Sequence, residues 1–336
     1  MKAAIVGIGG LALDADEAAL LRRHRPAGVI LFARNVRDPQ QLAALTASLR
    51  GVLPAHAVIA VDQEGGRVAR LRPPHWRAHP PAARIGELFA GDAAAGERAA
   101  WLTGALIGLD CASAGFDVAC APVLDLQVPG AHGVIGDRAY APDPEAVARL
   151  GRAMAGGLVA AGVQPVAKHV PGHGRAMVDS HLDLPCVPAS QDLAADMRPF
   201  ALCADLPWMM TAHILYLGLD PDRPATLSSR IIRDIVRGRI GFGGVLVSDD
   251  LAMHALTGSP GERTASAVSA GCDLALHCSG VLAETADALE GCPDIADVAL
   301  ARLARAHTLA AIARQALDGD ALASERDALL ARAWAA

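Results

Sequence analysis

Short apolar runs alternate with longer amphipathic stretches rich in alanine and leucine along most of the chain. The apolar runs predict strands at 3–7, 28–33, 57–61, 116–120, 163–168, 207–210, 244–248 and 273–277. The stretches between them predict helices at 15–24, 39–50, 95–113, 143–162, 191–203, 227–237, 261–270 and 281–290. Strands that alternate with helices in this way, eight of each, are typical of a TIM-type (β/α) barrel. The stretch at about 294–336 predicts two peripheral helices, so residues 1–336 are expected to form one (β/α) barrel domain.

Composition narrows the class of protein. Of the 336 residues, 52% are hydrophobic and 3% aromatic, and the formal net charge is −6. A nucleic-acid partner requires a basic face, and binding of single strands requires aromatic side chains, so we expect neither. The apolar runs are too short to span a bilayer, and the start of the chain favours a buried strand over a signal peptide, which predicts a cytoplasmic protein without a membrane partner. Seven dispersed cysteines without a CxxC pair indicate buried thiols.

Polar and glycine-rich segments follow the predicted strands. In a TIM-type barrel the reactive groups lie at the carboxyl ends of the strands, on the loops that lead into the helices. The segments are AVDQEGGRVARL after the third strand, PVLDLQVPGAHGVIGDR after the fourth, KHVPGHGRAMVDSH after the fifth, TAH after the sixth and SDDLAM after the seventh. We therefore expect the functional site at this end of the barrel.

Two aspartates, Asp249 and Asp250, end the seventh predicted strand. Because side chains alternate along a strand, Asp249 shares a face with Val245 and Val247, and branched side chains of this kind fill barrel interiors. We therefore expect Asp249 to point over the barrel mouth. Asp250 is expected to cap a helix that begins at Leu251. The competing interpretation, in which both aspartates only cap or solvate a turn, is weakened by the other polar clusters.

The segment from Lys168 to His181 holds a lysine, three histidines and an aspartate within 14 positions. Its proline and glycines exclude a helix and predict a shaped loop. In an extended segment Asp179 and His181 point the same way, and a carboxylate beside an imidazole suits general acid/base catalysis. For His173 we favour a structural role, in which the ring makes hydrogen bonds to the backbone.

The segment after the third strand contains Asp62, Glu64, Arg67 and Arg70 around two glycines. A carboxylate can accept two sugar hydroxyls and an arginine donates from a planar fork, so this set suits a polyhydroxylated ligand. Glu64 and Arg67 are expected to pair with each other and to brace the loop. Arg138, on another loop, is open to a binding or a structural role.

Two other classes of enzyme are open at this point. The first is a metal-dependent barrel hydrolase, which the proline and glycines disfavour because they prevent two imidazoles from sharing one helix face. Its ligands would be His169, His173, Asp179 and His181. The second is an NADP-binding oxidoreductase, because a G-x-G-x-x-A motif follows the first strand. An NADP site would use Gly7, Gly9 and Arg34. No acidic ribose ligand follows the motif, as an NAD site would need, whereas an arginine can bind the extra phosphate of NADP.

Together these segments resemble the bacterial β-N-acetylglucosaminidases of glycoside hydrolase family 3, the single-domain type that acts in peptidoglycan recycling. The resemblance covers about residues 15–290 and is carried most specifically by the KHVPGHG and SDDL segments. It implies that Asp249 is the nucleophile and that the Asp179–His181 pair is the acid/base. The residues that it implies for holding N-acetylglucosamine are Asp62, Arg70, Arg138, Lys168 and His169. Val170 stands where the family usually has phenylalanine, and Arg175 is not typical of the loop.

The reaction that the resemblance implies is retaining hydrolysis of a small carbohydrate or muropeptide substrate through a covalent glycosyl-enzyme, without metal or cofactor. A histidine here replaces the usual carboxylic acid, and a neutral imidazole does not repel an incoming anion. Phosphorolysis therefore stays open beside hydrolysis. A sugar-binding protein on an inactive barrel would lack the carboxylate or the histidine, and both are present. The aglycone and the oligomeric state are not specified by the sequence.

Overall fold

The computed structural model describes residues 1–130, 133–176 and 184–332. Eight parallel strands form a closed barrel. Each strand pairs with the next strand along the chain, and the last strand pairs with the first. The strands are β1 (Lys2–Gly7), β2 (Pro26–Leu31), β3 (Val58–Val61), β4 (Val118–Ala119), β5 (Gln164–Val170), β6 (Trp208–Thr211), β7 (Val245–Asp250) and β8 (Leu274–His277). The expected TIM-type barrel is confirmed.

The helices surround the barrel. They are α1 (Ala15–His24), α2 (Pro39–Arg50), α3 (Ala82–Gly91), α4 (Ala93–Ser113), α5 (Pro144–Ala160), α6 (Ala194–Leu202), a π-helix (Ile231–Arg239), α7 (Pro260–Ala270), α8 (Leu282–Gly291), α9 (Asp297–Ala313) and α10 (Gly319–Arg332). Several have an N-cap residue whose side chain accepts a hydrogen bond from a backbone amide of the first turn. These N-cap residues include Asp14, Asp143 and Ser259. These caps define where the loops at the carboxyl ends of the strands stop.

Three elements differ from the sequence prediction. Helix α3 was not expected, because its glycines weaken the helical pattern; Gly86 is needed there, since a Cβ would lie 1.7 Å from the carbonyl oxygen of Tyr140. Strand β4 has two residues instead of five, and Pro122, which has no amide hydrogen, follows shortly after it. The helix expected at 227–237 is replaced by a short 3-10 turn at Ala225–Leu227 and the π-helix.

The last part of the described chain forms two helices, as expected. Helix α10 packs against α4, and α9 packs against α5. Six of the seven cysteines are buried, whereas Cys186 is exposed, so the expectation of buried thiols is wrong for that residue. No helix in the described ranges is both long and apolar enough to cross a membrane.

The glycine motif after β1 has a packing explanation. A Cβ on Gly7 would lie 2.7 Å from the carbonyl oxygen of Cys278, where β1 and β8 approach each other. The amide of Gly9 donates to Glu17 Oε1 at 2.7 Å, and Arg34 donates to the carbonyl oxygens of Ile8 and Cys278. The amide and the arginine that an NADP site would use are therefore engaged within the protein.

Candidate active site

A cavity of about 190 Å³ opens at the carboxyl ends of the barrel strands. Its wall includes Ile30, Phe32, Asp62, Arg70, Cys120, Val134, Arg138, Lys168, His169, His173, Met210, Asp249, Asp250, Met253, Leu276 and Cys278. Six of these were selected from the sequence as nucleophile or sugar-binding residues: Asp62, Arg70, Arg138, Lys168, His169 and Asp249. The fold thus brings together residues from four separate segments of the sequence.

Lys168 lies at the centre of a buried charge cluster. It is on β5, its side chain is 3% exposed, and its Nζ lies 2.7 Å from Asp62 Oδ1 and 2.6 Å from Glu64 Oε1. The two carboxylates follow β3, so the cluster joins the ends of β3 and β5, which lie on either side of β4 in the barrel. A buried ammonium requires such partners, because removing a charge from water is costly.

Two arginines complete the charge cluster. Arg70 Nη2 donates to Asp62 Oδ2 at 2.7 Å. Arg138 donates from Nε and Nη2 to the two oxygens of Glu64, each at 2.8 Å, which is the bidentate geometry that suits a guanidinium. We use the name charge cluster for these five residues: Asp62, Glu64, Arg70, Arg138 and Lys168.

The expected pair between Glu64 and Arg67 is wrong. Arg67 Nε donates to Asp137 at 2.8 Å, and its Nη2 donates to carbonyl oxygens of Gly133, Val134 and Ile135. Glu64 instead reaches Arg138, which is 74 residues away along the chain. Arg67 therefore braces the loop before Arg138, while Glu64 anchors Arg138 itself at the cavity.

The charges of this cluster depend on each other. Burial acts to raise the pKa of Asp62, but Lys168 and Arg70 hold it well below its usual value. Burial acts to raise the pKa of Glu64 and to lower that of Lys168. The attraction between the ammonium and the carboxylates outweighs burial, so the pKa of Glu64 is lowered and that of Lys168 is raised. The carboxylates and the ammonium are therefore ionised at neutral pH, and of these three groups Asp62 and Lys168 line the cavity.

Asp249 lies on the other side of the barrel rim, at the end of β7. Its side chain lines the cavity, so it reaches the barrel mouth as predicted, and the next residue, Asp250, lines the cavity as well. The amide of Asp250 donates to Asp249 Oδ1 at 2.8 Å. Although burial acts to raise the pKa of Asp249, His169 and other neighbours keep it below its usual value. Asp249 is thus a carboxylate at neutral pH.

Asp250 has a different role from the one expected. The residues after it form turns, and the next helix begins at Pro260, so Asp250 does not cap a helix at Leu251. Its Oδ1 accepts from the amides of Ala252 and Cys278, each at 2.9 Å. The side chain therefore ties the turn after β7 to the end of β8.

Asp125 is a site residue that the sequence reasoning missed. It is fully buried and follows β4, and its Oδ2 lies 2.7 Å from Nδ1 of His169. It also accepts from the backbone amides of His169 and His173. This aspartate therefore fixes the ring of His169 from behind the cavity. The sequence contains one sign of this role. A charged residue in the apolar segment PVLDL requires a buried partner.

His173 is buried beside His169, with 5.5 Å between the ring centres. Burial, with the nearby His169, lowers its pKa to about 4. Its backbone amide is bound to Asp125, which agrees with a structural contribution to the loop. Among the residues that the structure describes, no three histidine, cysteine, aspartate or glutamate side chains form a group that could hold a metal ion.

Asp179 and His181 lie outside the described residues. Before the gap, the described chain ends at Ala176, and its neighbour Arg175 donates to Asp196 at 2.7 Å. The acid/base roles of Asp179 and His181 stay predictions, as does the role of each residue in the cavity.

Comparison with known proteins places the chain among glycosidases. Residues 4–309 match the N-terminal domain of glycosyl hydrolase family 3. The chain is 40% identical to a β-hexosaminidase of Alkalilimnicola ehrlichii over 309 residues, which cover 90% of this chain and 88% of that protein.

Solved structures agree with the sequence matches. The fold superposes on native NagZ from Neisseria gonorrhoeae with a TM-score of 0.86 and 33% identity, over 98% of both chains. It superposes on the complex of that protein with N-trifluoroacetyl-D-glucosamine with a TM-score of 0.85 and 34% identity, again over 98% of both chains.

Proposed function

The chain belongs to glycosyl hydrolase family 3, and from this we propose that it is a retaining exo-β-N-acetylglucosaminidase. Its substrates in this proposal are muropeptides derived from peptidoglycan, from which it removes N-acetylglucosamine in the cytoplasm. The β-hexosaminidase relative and the relative bound to N-trifluoroacetyl-D-glucosamine support the class of sugar. The resemblance of the sequence to peptidoglycan-recycling enzymes supports the source of the substrate.

One observation carries the proposal. An ionised carboxylate, Asp249, and a fixed set of hydrogen-bonding charges around Asp62 and Lys168 line the same cavity. Retaining glycosidases need a carboxylate nucleophile beside a sugar whose hydroxyls are held in place. The cavity, at about 190 Å³, is also smaller than the roughly 300–1,000 Å³ of sites for drug-sized ligands, which favours one terminal sugar ring over a longer chain.

The first step forms a covalent intermediate. A carboxylate oxygen of Asp249 bonds to the anomeric carbon while the bond from that carbon to the aglycone oxygen breaks. Protonated His181 gives its proton to the leaving oxygen, and Asp179 holds the imidazole in the required orientation. The charge cluster accepts from and donates to the hydroxyls, and contacts that tighten as the ring distorts lower the barrier.

The second step releases the sugar. Neutral His181 takes a proton from water, the water oxygen bonds to the anomeric carbon, and the bond to Asp249 breaks. Two inversions give net retention of configuration. Phosphate can take the place of water as the acceptor, since a neutral imidazole does not repel it.

Turnover of chromogenic glycosides tests this function. We expect release of the chromophore from a β-N-acetylglucosaminide and far less from the matching β-glucoside. Parallel reactions with and without phosphate, analysed for free sugar and sugar phosphate, separate hydrolysis from phosphorolysis. No turnover of the N-acetylglucosaminide, or a preference for the glucoside, would contradict the proposal.

Replacement of His181 tests the acid/base assignment. A good aryl leaving group departs without a proton, so His181→Ala should retain more of the first step on an activated aryl glycoside than on a natural disaccharide. Added azide should partly restore turnover, because it needs no general base. An equal loss on both substrates, with no rescue, would count against this role.

A further inference from the structure

The Thr-Ala-His segment after β6 has no part in the proposed mechanism, yet it is buried beside the nucleophile. The side chain of His213 is fully buried. Its Nε2 lies 2.9 Å from the carbonyl oxygen of Asp250, and its Nδ1 lies 2.8 Å from Thr226 Oγ1. A carbonyl oxygen can only accept, so Nε2 carries a hydrogen.

The same logic orders the rest of this network. Burial lowers the pKa of His213, so the ring is neutral at neutral pH and its Nδ1 accepts a hydrogen bond. Thr226 Oγ1 lies 2.8 Å from Nδ1 of His213 and 3.0 Å from the carbonyl oxygen of Ala212, and we assign its one proton to the shorter of these contacts, because a neutral Nδ1 needs a donor. The oxygen of Thr226 is then left to accept from the hydroxyl of Thr211, at 2.7 Å. We call these three residues, Thr211, His213 and Thr226, the hydroxyl–histidine network.

The network contacts the backbone of both aspartates at the end of β7. Thr211 Oγ1 accepts from the amide of Asp249 at 3.3 Å, and His213 Nε2 donates to the carbonyl oxygen of Asp250 at 2.9 Å. These two groups flank the peptide that joins Asp249 to Asp250. Fixing them fixes the direction in which the Asp249 side chain leaves the strand.

The strand needs this support because its regular pairing ends here. Strands β6 and β7 pair in register only as far as Met210 and Val247. On the other side, Leu274 pairs with Val247 but Leu276 pairs with Asp250, so β7 has one extra residue over this interval. Irregularities of this kind next to active sites re-aim side chains and leave backbone groups without strand partners. At Asp249 and Asp250, side chains supply those partners.

We propose that the hydroxyl–histidine network positions the Asp249 carboxylate for attack on the anomeric carbon, with Thr211, His213 and Thr226 as positioning residues. This inference rests on the proposed function. None of the three residues is among those that line the cavity, so we expect no contact between them and the sugar. Their loss should therefore slow formation of the covalent intermediate and leave sugar affinity unchanged.

The test compares Thr226→Val with Thr226→Ser and with Thr46→Val. Valine fills the space of threonine but removes the hydroxyl, whereas serine keeps it. Thr46 is a buried threonine on α2, outside the barrel, so its replacement by valine controls for the loss of a buried hydroxyl. The readouts are kcat, KM, the rate at which a fluorinated slow-release N-acetylglucosaminide labels the protein, the dissociation constant of N-acetylglucosamine, and Tm.

We expect Thr226→Val to lower kcat and the labelling rate by about 10- to 100-fold, the loss that a small misplacement of a reacting group causes. The dissociation constant of N-acetylglucosamine should stay within about twofold of the parent, since no contact to the sugar is removed. Thr226→Ser should recover most of the rate. Thr46→Val should lower Tm without changing kcat.

A second pair of variants, His213→Gln and His213→Asn, provides the test if Thr226→Val does not fold. Glutamine at position 213 can still place an amide donor near the carbonyl oxygen of Asp250, whereas asparagine is too short to reach it. His213→Gln should therefore retain a higher labelling rate than His213→Asn at equal sugar affinity.

Three results would overturn the inference. One is an unchanged kcat in Thr226→Val with a Tm lowered as in Thr46→Val, which would show a purely structural role. The second is a weakened sugar affinity at an unchanged labelling rate. The third is equal labelling rates in the two His213 variants. A parent protein that neither turns over nor becomes labelled would instead contradict the proposed function, and the inference with it.

Discussion

The two sides of the cavity hold their carboxylates by different means. On the β3 and β5 side, Asp62 is paired with the full positive charges of Lys168 and Arg70 at 2.7 Å. On the β7 side, the carboxylate of Asp249 accepts one hydrogen bond among the described residues, from the amide of Asp250. The backbone around Asp249 is held by neutral hydroxyl and imidazole groups.

Under the proposed function, this difference suits two residues of the same type to different chemistry. A carboxylate whose oxygens are both engaged by cations is suited to accept sugar hydroxyls in fixed directions. A carboxylate that is ionised but lightly bonded keeps electron density for attack on carbon. In the proposed mechanism the environment, and not the residue type, therefore separates binding from nucleophilic attack.

The largest effect is expected on the β7 side. Asp249→Asn should lower kcat by on the order of 10⁴-fold, because the amide cannot act as the nucleophile. Asp250→Asn is the matched control, since asparagine keeps the Oδ1 that binds the amides of Ala252 and Cys278. It should cost no more than about fivefold, the equivalent of one weakened hydrogen bond. Similar losses in the two variants, measured with one aryl glycoside, would remove the distinction between them.

An intermediate effect is expected on the β3 side. Asp62→Ala should lower kcat/KM by about 10- to 100-fold, the value of a hydrogen bond to a charged group. KM should rise and kcat should fall, because hydroxyl contacts tighten as the ring distorts. Asp205→Ala, which removes a surface pair with Arg152, is the control and should leave both constants unchanged. Unaltered kinetics in Asp62→Ala would show that Asp62 does not bind the sugar, and would contradict the role proposed for the charged side of the cavity.

The third effect is on stability and not on turnover. The unfolded chain protonates a histidine below about pH 6.5, whereas His173 in the folded protein takes up a proton only below about pH 4. Between these values the unfolded state binds more protons, so the free energy of unfolding should fall as the pH is lowered, by up to about 1.4 kcal/mol per pH unit. Urea unfolding of the parent and of His173→Gln checks this. The variant should show the shallower dependence, and equal slopes would contradict it.

The strand pattern predicted most of the barrel because buried parallel strands are nearly continuous apolar runs, as at Val245–Val247. The prediction from sequence failed where a close contact of a glycine, a proline or a turn decides the local structure. Helix α3 was missed because Gly86 is present for a close approach to Tyr140, which only the packed structure reveals. The cap expected of Asp250 failed because a turn, and not a helix, follows β7.

Residues that line the cavity could be selected from the sequence, but their partners could not. Asp62, Lys168 and Asp249 stand at strand ends, so topology alone brought them to one rim. Pairing was misjudged where nearness in sequence was taken for nearness in space, as for Glu64 and Arg67. The contact of Asp125 with His169 spans 44 residues and has no local signature beyond a charge in an apolar segment.

In the proposed mechanism Asp249 forms the covalent bond to the sugar. Incubation with a fluorinated N-acetylglucosaminide that forms the glycosyl-enzyme faster than it is released, followed by proteolysis and mass spectrometry of the labelled peptide, tests it directly. We expect one added sugar per chain, attached to Asp249. A label on Asp250, Asp62 or Asp179, or steady turnover without any labelled protein, would contradict it.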